Sequence, residues 1–86
     1  MFDLTDKAAL VTGAGSGIGR AIAQRFAKAG ARVHVGDLNQ EAGSETVKLI
    51  TDAGGQAEFV LLDVADEAAV VAASAKIGAL DILVNN

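Results

Sequence analysis

Four short apolar segments alternate with three amphipathic segments along this chain of 86 residues. The apolar segments are aliphatic and bounded by Gly, Asp or Asn, so they predict buried strands at 7–11, 31–37, 57–63 and 81–84. Strands that alternate with helices form a parallel sheet covered on both faces. The sequence therefore predicts an α/β fold with the order β-α-β-α-β-α-β, built as one domain over residues 1–86.

The helical segments carry signals for their inward faces and their ends. Steps of three and four residues in the first helix predict an inward face made of Ile18, Ile22, Phe26 and Ala29. Gly30 predicts the end of that helix, and Asn39 and Asp66 predict the N-caps of the next two. The basic residues predicted to form a solvated face are Arg20, Arg25, Lys28 and Arg32. The phenylalanines predicted to fill the core are Phe2, Phe26 and Phe59.

Composition and charge exclude several classes of function. The net charge is −4 and the chain has no cysteine, so binding of nucleic acid and thiolate chemistry are not expected. The apolar runs are too short to span a membrane, and the first residues do not resemble a signal peptide. One histidine among scattered carboxylates predicts no metal site. We therefore expect a cytoplasmic protein.

Four of the ten glycines lie in the stretch TGAGSGIG at positions 12–19, between the first strand and the first helix. A helix N-terminus presents unpaired N–H groups and a partial positive charge, which suits a phosphate when the backbone can approach closely. Gly13 is predicted to permit the turn, Gly17 to let the backbone approach the ligand, and Gly19 to let the helix pack on the strand. The stretch therefore predicts a pyrophosphate site.

An acidic residue ends the second strand. Asp37 lies 20 residues after Gly17, where a carboxylate can accept hydrogen bonds from both hydroxyls of an adenosine ribose. The alternative is that Asp37 competes with Asn39 to cap the second helix. We expect ribose binding.

Other nucleotide-binding motifs fit the glycine stretch less well. A P-loop is rejected because Arg20 and Ala21 stand where Lys and Ser or Thr are needed. A methyltransferase-like loop that binds S-adenosylmethionine stays open, although such loops usually carry an acid where this chain has Leu10-Val11-Thr12.

The spacing Thr12-Gly13-x-x-x-Gly17-x-Gly19 resembles the short-chain dehydrogenase/reductase family. The stretches LLDVAD at 61–66 and DILVNN at 81–86 are similar to the ends of that family's third and fourth strands. The resemblance implies a Rossmann-like, doubly wound parallel sheet with strand order 3-2-1-4. Asp6 stands where the family commonly has glycine, and the third helix is about one turn shorter than usual.

The resemblance also implies contacts to a dinucleotide. Ser16 and Ile18 would contact the cofactor through the loop. Asp63 would contact the adenine amine, and Val64 would flank the ring. Asn85 would lie near the adenosine ribose and help to tie the sheet together.

The resemblance favours NAD over NADP as the cofactor. Relatives that prefer NADP often carry a basic residue at the positions of Ser16 or Leu38. With Asp37 in place, a 2′-phosphate would meet a negative charge and no counter-charge. The partners expected are therefore NAD(H), together with an alcohol or ketone substrate of the full enzyme, which is expected to be a homo-oligomer.

The catalytic residues of the family are not found in these 86 residues. The resemblance implies a catalytic Ser and a Tyr-x-x-x-Lys motif beyond Asn86, and the chain contains no tyrosine. We therefore assign no catalytic residue. The chain is expected to be the cofactor-binding half of an NAD-dependent oxidoreductase, and the alternative is a half-Rossmann binding module without catalysis.

Overall fold

The structure is a computed structural model and describes residues 3–86. The strands and helices alternate along these residues in the predicted order. The strands are β1 (Ala8–Thr12), β2 (Arg32–Asp37), β3 (Gln56–Leu61) and β4 (Ile82–Val84), and the helices are α1 (Gly17–Lys28), α2 (Gln40–Asp52) and α3 (Glu67–Ile77). Strand bounds differ from the prediction by at most two residues, and Phe2 lies outside the described residues.

The four strands form one parallel sheet in the order β3-β2-β1-β4. The register aligns Leu10 of β1 with His34 of β2 and Glu58 of β3. Strand order therefore reverses beside β1, because β2 follows on one side of it and β4 returns to the other. In open parallel sheets, ligands bind at the carboxyl ends of the strands at this point of reversal.

The two faces of the sheet carry cores of different size. The larger core lies against α1 and α2 and is formed by Leu4, Val11, Ala14, Ala23, Ala27, Ala31, Val33, Val35 and Ile50. The smaller core lies against α3 and is formed by Leu10, Leu62 and Val70. Alternate residues of each strand point to opposite faces, so β1 places Val11 in the larger core and Leu10 in the smaller one.

The helix ends follow the sequence signals. Gly30, with φ of 106°, follows the C-cap residue Ala29 of α1. Asn39 caps α2 by accepting a 3.0 Å hydrogen bond from the N–H of Ala42. Asp66 caps α3 by accepting a 3.1 Å bond from the N–H of Ala69.

One prediction about the inward face of α1 is wrong. The buried residues of this helix are Gly19, Ala23 and Ala27, with Ile22 and Phe26 packed at the edge of the core. Ile18 instead is 71% exposed, because the close approach of Gly19 to the loop turns the adjacent residue outward. No helix in the described part of the chain has the length and apolar character needed to cross a membrane.

Candidate functional site

The loop between β1 and α1 makes its turn at a glycine. Gly13 has φ of 62°, a left-handed conformation that residues with a Cβ rarely adopt. A Cβ on Gly19 would collide with the carbonyl oxygen of Gly13. Gly19 therefore allows α1 to approach the loop itself, whereas the sequence prediction had it packing against the strand.

The N-terminus of α1 has neither a side-chain cap nor an acid. Ser16 is the N-cap residue, with extended backbone, and its side chain makes no cap hydrogen bond within the described chain. Gly17 has φ of 57°, and a Cβ built on it meets no described atom within 4 Å. The first N–H groups of a helix lack intrahelical acceptors, so this end of α1 leaves donors facing open space.

The two residues before Ser16 are held to β2. The N–H of Ala14 donates to the carbonyl oxygen of Gly36 at 3.1 Å, and the N–H of Gly15 donates to Oδ2 of Asp37 at 2.8 Å. A Cβ on Gly15 would lie 2.7 Å from that carboxylate oxygen. Sequence reasoning missed this role of Gly15, since it depends on a partner 22 residues away.

Arg20 does not belong to a solvated basic face. It is half-buried, its Nε donates to Oγ1 of Thr46 at 2.8 Å, and its Nη2 donates to the carbonyl oxygen of Gly15 at 2.7 Å. The prediction that Arg20 is solvated is wrong because α2 packs over this side of α1. The other three predicted residues, Arg25, Lys28 and Arg32, are exposed.

Asp37 lies at the end of β2 beside the loop. Its Oδ2 accepts from Gly15, and its Oδ1 accepts from the N–H of Asn39 at 2.9 Å. Asn39, not Asp37, caps α2, so the alternative role of Asp37 as a helix cap is wrong. The next residue, Leu38, is 61% exposed.

The end of β3 contributes Asp63 and Val64. Oδ1 of Asp63 accepts a 2.9 Å hydrogen bond from the N–H of Ala65, which shapes the turn into α3. Asp63 is half-buried, and Val64 is 39% exposed. The carboxyl ends of β2 and β3 are adjacent in the sheet, since Asp37 pairs with Leu61, so both predicted residues lie at the same edge as the loop.

The end of β4 is fastened to β1 by Thr12, which is fully buried. Its hydroxyl donates toward Oδ1 of Asn85 at 2.9 Å and accepts from the N–H of Asn86 at 3.0 Å. The predicted tie between Asn85 and the sheet is therefore present. The site residue that sequence reasoning left out is Thr12, whose position before Gly13 in the motif was the available signal.

Large apolar residues are exposed near the carboxyl ends of the strands, namely Ile18, Leu38, Leu61 and Val64. Ligand sites are typically lined by apolar side chains together with a few polar groups. A hollow of about 500 Å³ next to this edge is lined by Arg20, Asn39, Glu41, Ala42 and Glu45. This hollow carries two carboxylates, while the guanidinium of Arg20 is turned toward the loop.

A larger hollow, of about 770 Å³, lies on the α3 face of the sheet. His34 lines it with Nδ1 3.7 Å from Oε2 of Glu58, too long for a hydrogen bond. Burial lowers the pKa of His34, which favours the neutral form of the ring. His34 is a packed strand residue, as the sequence indicated, and it does not belong to the edge with the glycine-rich loop.

The strand order, the glycine turn and the strand-end carboxylate define a Rossmann-like α/β protein. The chain belongs to the short chain dehydrogenase family, whose pattern matches residues 7–86. It is 49% identical over 82 residues to an uncharacterized oxidoreductase of Thermotoga maritima, covering 93% of this chain and 33% of the relative. It is 46% identical over 87 residues to the 7alpha-hydroxysteroid dehydrogenase of Escherichia coli K12, covering 96% of this chain and 34% of the relative.

Solved structures give the same family. A hydroxysteroid dehydrogenase from Escherichia coli superposes with a TM-score of 0.86 at 43% identity, over 95% of this chain and 37% of that one. A 7α-hydroxysteroid dehydrogenase complexed with NADH and 7-oxo glycochenodeoxycholic acid superposes with a TM-score of 0.83 at 43% identity, over 95% and 34%. The chain thus spans about a third of the length of these relatives.

Proposed function

We propose that this chain is the NAD-binding half of a short-chain dehydrogenase that transfers hydride between NAD(H) and an alcohol or ketone. The observation that carries the proposal is the uncapped N-terminus of α1 behind the left-handed glycines 13 and 17. The pyrophosphate of the cofactor would accept hydrogen bonds from the first N–H groups of α1. The partial positive charge of the helix end favours the same anion.

The carboxylate of Asp37 would bind the adenosine ribose. Its two oxygens each accept one backbone N–H, from Gly15 and Asn39, and each oxygen keeps a further lone pair for a hydroxyl. These two bonds fix the carboxylate at the end of β2 before any ligand arrives. A preoriented acceptor loses little entropy on binding, which favours affinity.

The surroundings of Asp37 favour NAD over NADP. Glu41 and Glu45 line the adjacent hollow, so a 2′-phosphate there would face carboxylates. The guanidinium of Arg20, which also lines this hollow, already donates to Gly15 and Thr46. The side chain of Leu38 carries no positive charge that could pair with the 2′-phosphate of NADP.

The adenine ring would rest against the exposed apolar side chains of this edge. Leu38 and Val64 would flank the ring, and the carboxylate of Asp63 would accept a hydrogen bond from its amine. Ser16 and Ile18 would contact the cofactor from the loop. Asn85 would lie near the adenosine ribose, at the end of β4.

The reaction itself would need residues that follow Asn86. Bound NAD supplies the hydride acceptor, and the acid-base group implied by the family, a tyrosine, does not occur in this chain. The relatives are about three times as long as this chain, which supports the proposal that the whole enzyme is a longer polypeptide. Substrate choice, oligomerisation and cytoplasmic location are predictions for that whole protein.

Cofactor choice provides the test of the ribose site. Asp37→Ala is expected to weaken NAD binding by about 1–3 kcal/mol, the scale of hydrogen bonds to a charged acceptor. Adding Leu38→Arg is expected to raise the affinity for NADP relative to NAD, because the guanidinium would pair with the 2′-phosphate. Calorimetric titration of both cofactors measures the ratio, and an unchanged ratio in the double variant would refute the assignment.

The second candidate function is a half-Rossmann binding module without catalysis. The coding sequence after Asn86 distinguishes it from the dehydrogenase. The dehydrogenase predicts Ala-Gly, then a serine and Tyr-x-x-x-Lys; a stop codon would favour the module. Residues 1–86 expressed alone are expected to self-associate, because β4 is an edge strand with Leu83 half-exposed. They are also expected to lack activity, because the sequence contains no tyrosine to move the proton. A cooperatively melting monomer in light scattering would contradict that expectation.

A further inference from the structure

All four polar backbone groups of Ala14 and Gly15, just before the N-cap of α1, are hydrogen-bonded. The two N–H groups donate to Gly36 and Asp37 of β2. The two carbonyl oxygens accept from side chains, that of Ala14 from Oγ1 of Thr46 at 2.8 Å and that of Gly15 from Nη2 of Arg20 at 2.7 Å. The loop is therefore fixed on both sides before any ligand arrives.

The two side chains form one unit between α1 and α2. Arg20 donates through Nε to Oγ1 of Thr46 at 2.8 Å and through Nη2 to the carbonyl oxygen of Ala42 at 3.3 Å. Thr46 is fully buried, so its hydroxyl has no water to replace these partners. Removing either side chain would leave buried polar groups without partners, which is unfavourable.

A trans peptide is planar, and its C=O and N–H point in opposite directions. When Arg20 holds the carbonyl of Gly15 on the α2 side, the N–H of Ser16 is turned to the opposite side of that peptide, away from α2. When Thr46 holds the carbonyl of Ala14, the N–H of Gly15 is turned toward Asp37, where the 2.8 Å bond is found. Each side chain therefore sets the direction of one N–H group.

We propose that Arg20 and Thr46 are positioning residues that orient the phosphate-binding turn. The inference rests on the proposed function, because it assumes that the anion at α1 is the pyrophosphate. Neither side chain needs to touch the cofactor. Arg20 aims the N–H of Ser16 at the phosphate and withdraws the repulsive carbonyl of Gly15 from it, while Thr46 preserves the link between loop and Asp37.

The experiment compares ligands with and without the pyrophosphate on the full-length protein. Arg20→Met keeps an unbranched chain without donors and is expected to weaken ADP about ten-fold, the scale of one hydrogen bond to a charged group. Adenosine binding is expected to stay unchanged. Arg25→Met is the matched control on the same helix, since Arg25 is exposed, and it is expected to change neither affinity.

Thr46 gives a second pair of variants if Arg20→Met does not fold. Thr46→Val preserves volume without the hydroxyl and is expected to weaken ADP, whereas Thr46→Ser keeps the hydroxyl and is expected to retain wild-type affinity. Protection of the Ser16 amide from hydrogen exchange by ADP is expected in the wild type and in Thr46→Ser, and to be lost in Arg20→Met.

The outcomes separate this inference from the proposed function. Equal losses for ADP and adenosine in Arg20→Met, or unchanged ADP affinity in both Arg20→Met and Thr46→Val, would overturn the positioning role while wild-type binding upholds the cofactor site. A wild-type protein that binds neither NAD nor ADP would overturn both.

Discussion

The three helices all begin at the carboxyl edge of the sheet, but their first turns differ. α2 and α3 begin with side-chain caps, Asn39 and Asp66, and each carries an acid in the first turn, Glu41 and Glu67. α1 begins with Ser16, which makes no cap bond in the described structure, and its first turn has no acid. The N-termini of α2 and α3 therefore find hydrogen-bond acceptors within the described chain. The N-terminus of α1 keeps N–H donors without a side-chain acceptor and the partial positive charge of the helix end.

The difference has a consequence for stability and for binding. A side-chain cap stabilises a helix by about 1 kcal/mol, and an acid in the first turn adds about 0.3–1 kcal/mol. A helix that lacks both gives up that stability and keeps a site for an external anion. The N-termini of the three helices lie at the same edge of the sheet in the same chain. Variants at the N-termini of α2 and α3 are therefore controls for variants at the N-terminus of α1.

The largest effect is expected at Gly17. Gly17→Val places a branched side chain where the pyrophosphate would approach, and loss of about two charge-assisted bonds predicts roughly hundred-fold weaker NAD binding. Gly54→Val is the matched control, since Gly54 also has positive φ and open space around its Cβ. Both variants are expected to lose about 1–2 kcal/mol of stability from left-handed strain. Calorimetry should find weaker binding in Gly17→Val alone, and equal NAD affinity in the two variants would contradict the phosphate site.

An acid introduced at the start of α1 is expected to move stability and binding in opposite directions. Ser16→Asp adds a favourable charge at the helix end, worth about 0.3–1 kcal/mol of stability. The same charge repels a pyrophosphate by about 1–4 kcal/mol at close range, so NAD binding is expected to fall about ten-fold. Ala68→Asp places an acid in the first turn of α3 and should stabilise without altering binding. Thermal melting and NAD titration measure both properties, and unchanged NAD affinity in Ser16→Asp would count against the anion site.

The smallest effects concern the caps themselves. Asn39→Ala and Asp66→Ala each remove a cap bond and are expected to lower the free energy of unfolding by about 1 kcal/mol. Ser16→Ala removes no cap bond and is expected to leave stability unchanged. Denaturant unfolding of the three variants makes the comparison. A loss in Ser16→Ala as large as that in Asn39→Ala would mean that α1 is capped like the others.

Local chemistry made much of the fold predictable from the sequence. The caps Asn39 and Asp66, the turn at Gly13 and the stop at Gly30 each act within a few residues, so their patterns are visible in the chain. The order β3-β2-β1-β4 was not visible in periodicity and came from the family resemblance. Alternation of strands and helices alone leaves strand order open.

The parts that sequence reasoning missed depend on contacts that form only in the folded chain. Arg20 has the helical spacing of a solvated residue, and only the packing of α2 shows its bond to Thr46. Gly15 has no local need for glycine, but a Cβ there would strike Asp37. Ile18 fits an apolar helical stripe, yet the contact of Gly19 with the loop leaves it exposed. Each of these depends on residues that sequence spacing does not bring together.

Hydrogen exchange of individual amides tests the central claim, that the N-terminus of α1 binds the pyrophosphate of NAD. The N–H groups of Gly17, Ile18 and Gly19 precede the first intrahelical bond of α1, from the N–H of Arg20 to the carbonyl of Ser16. NAD is therefore expected to slow exchange at these three amides, while the capped amide of Ala69 stays unchanged. If NAD binds and the three amides continue to exchange as in the free protein, the assignment of the pyrophosphate to this helix end is wrong.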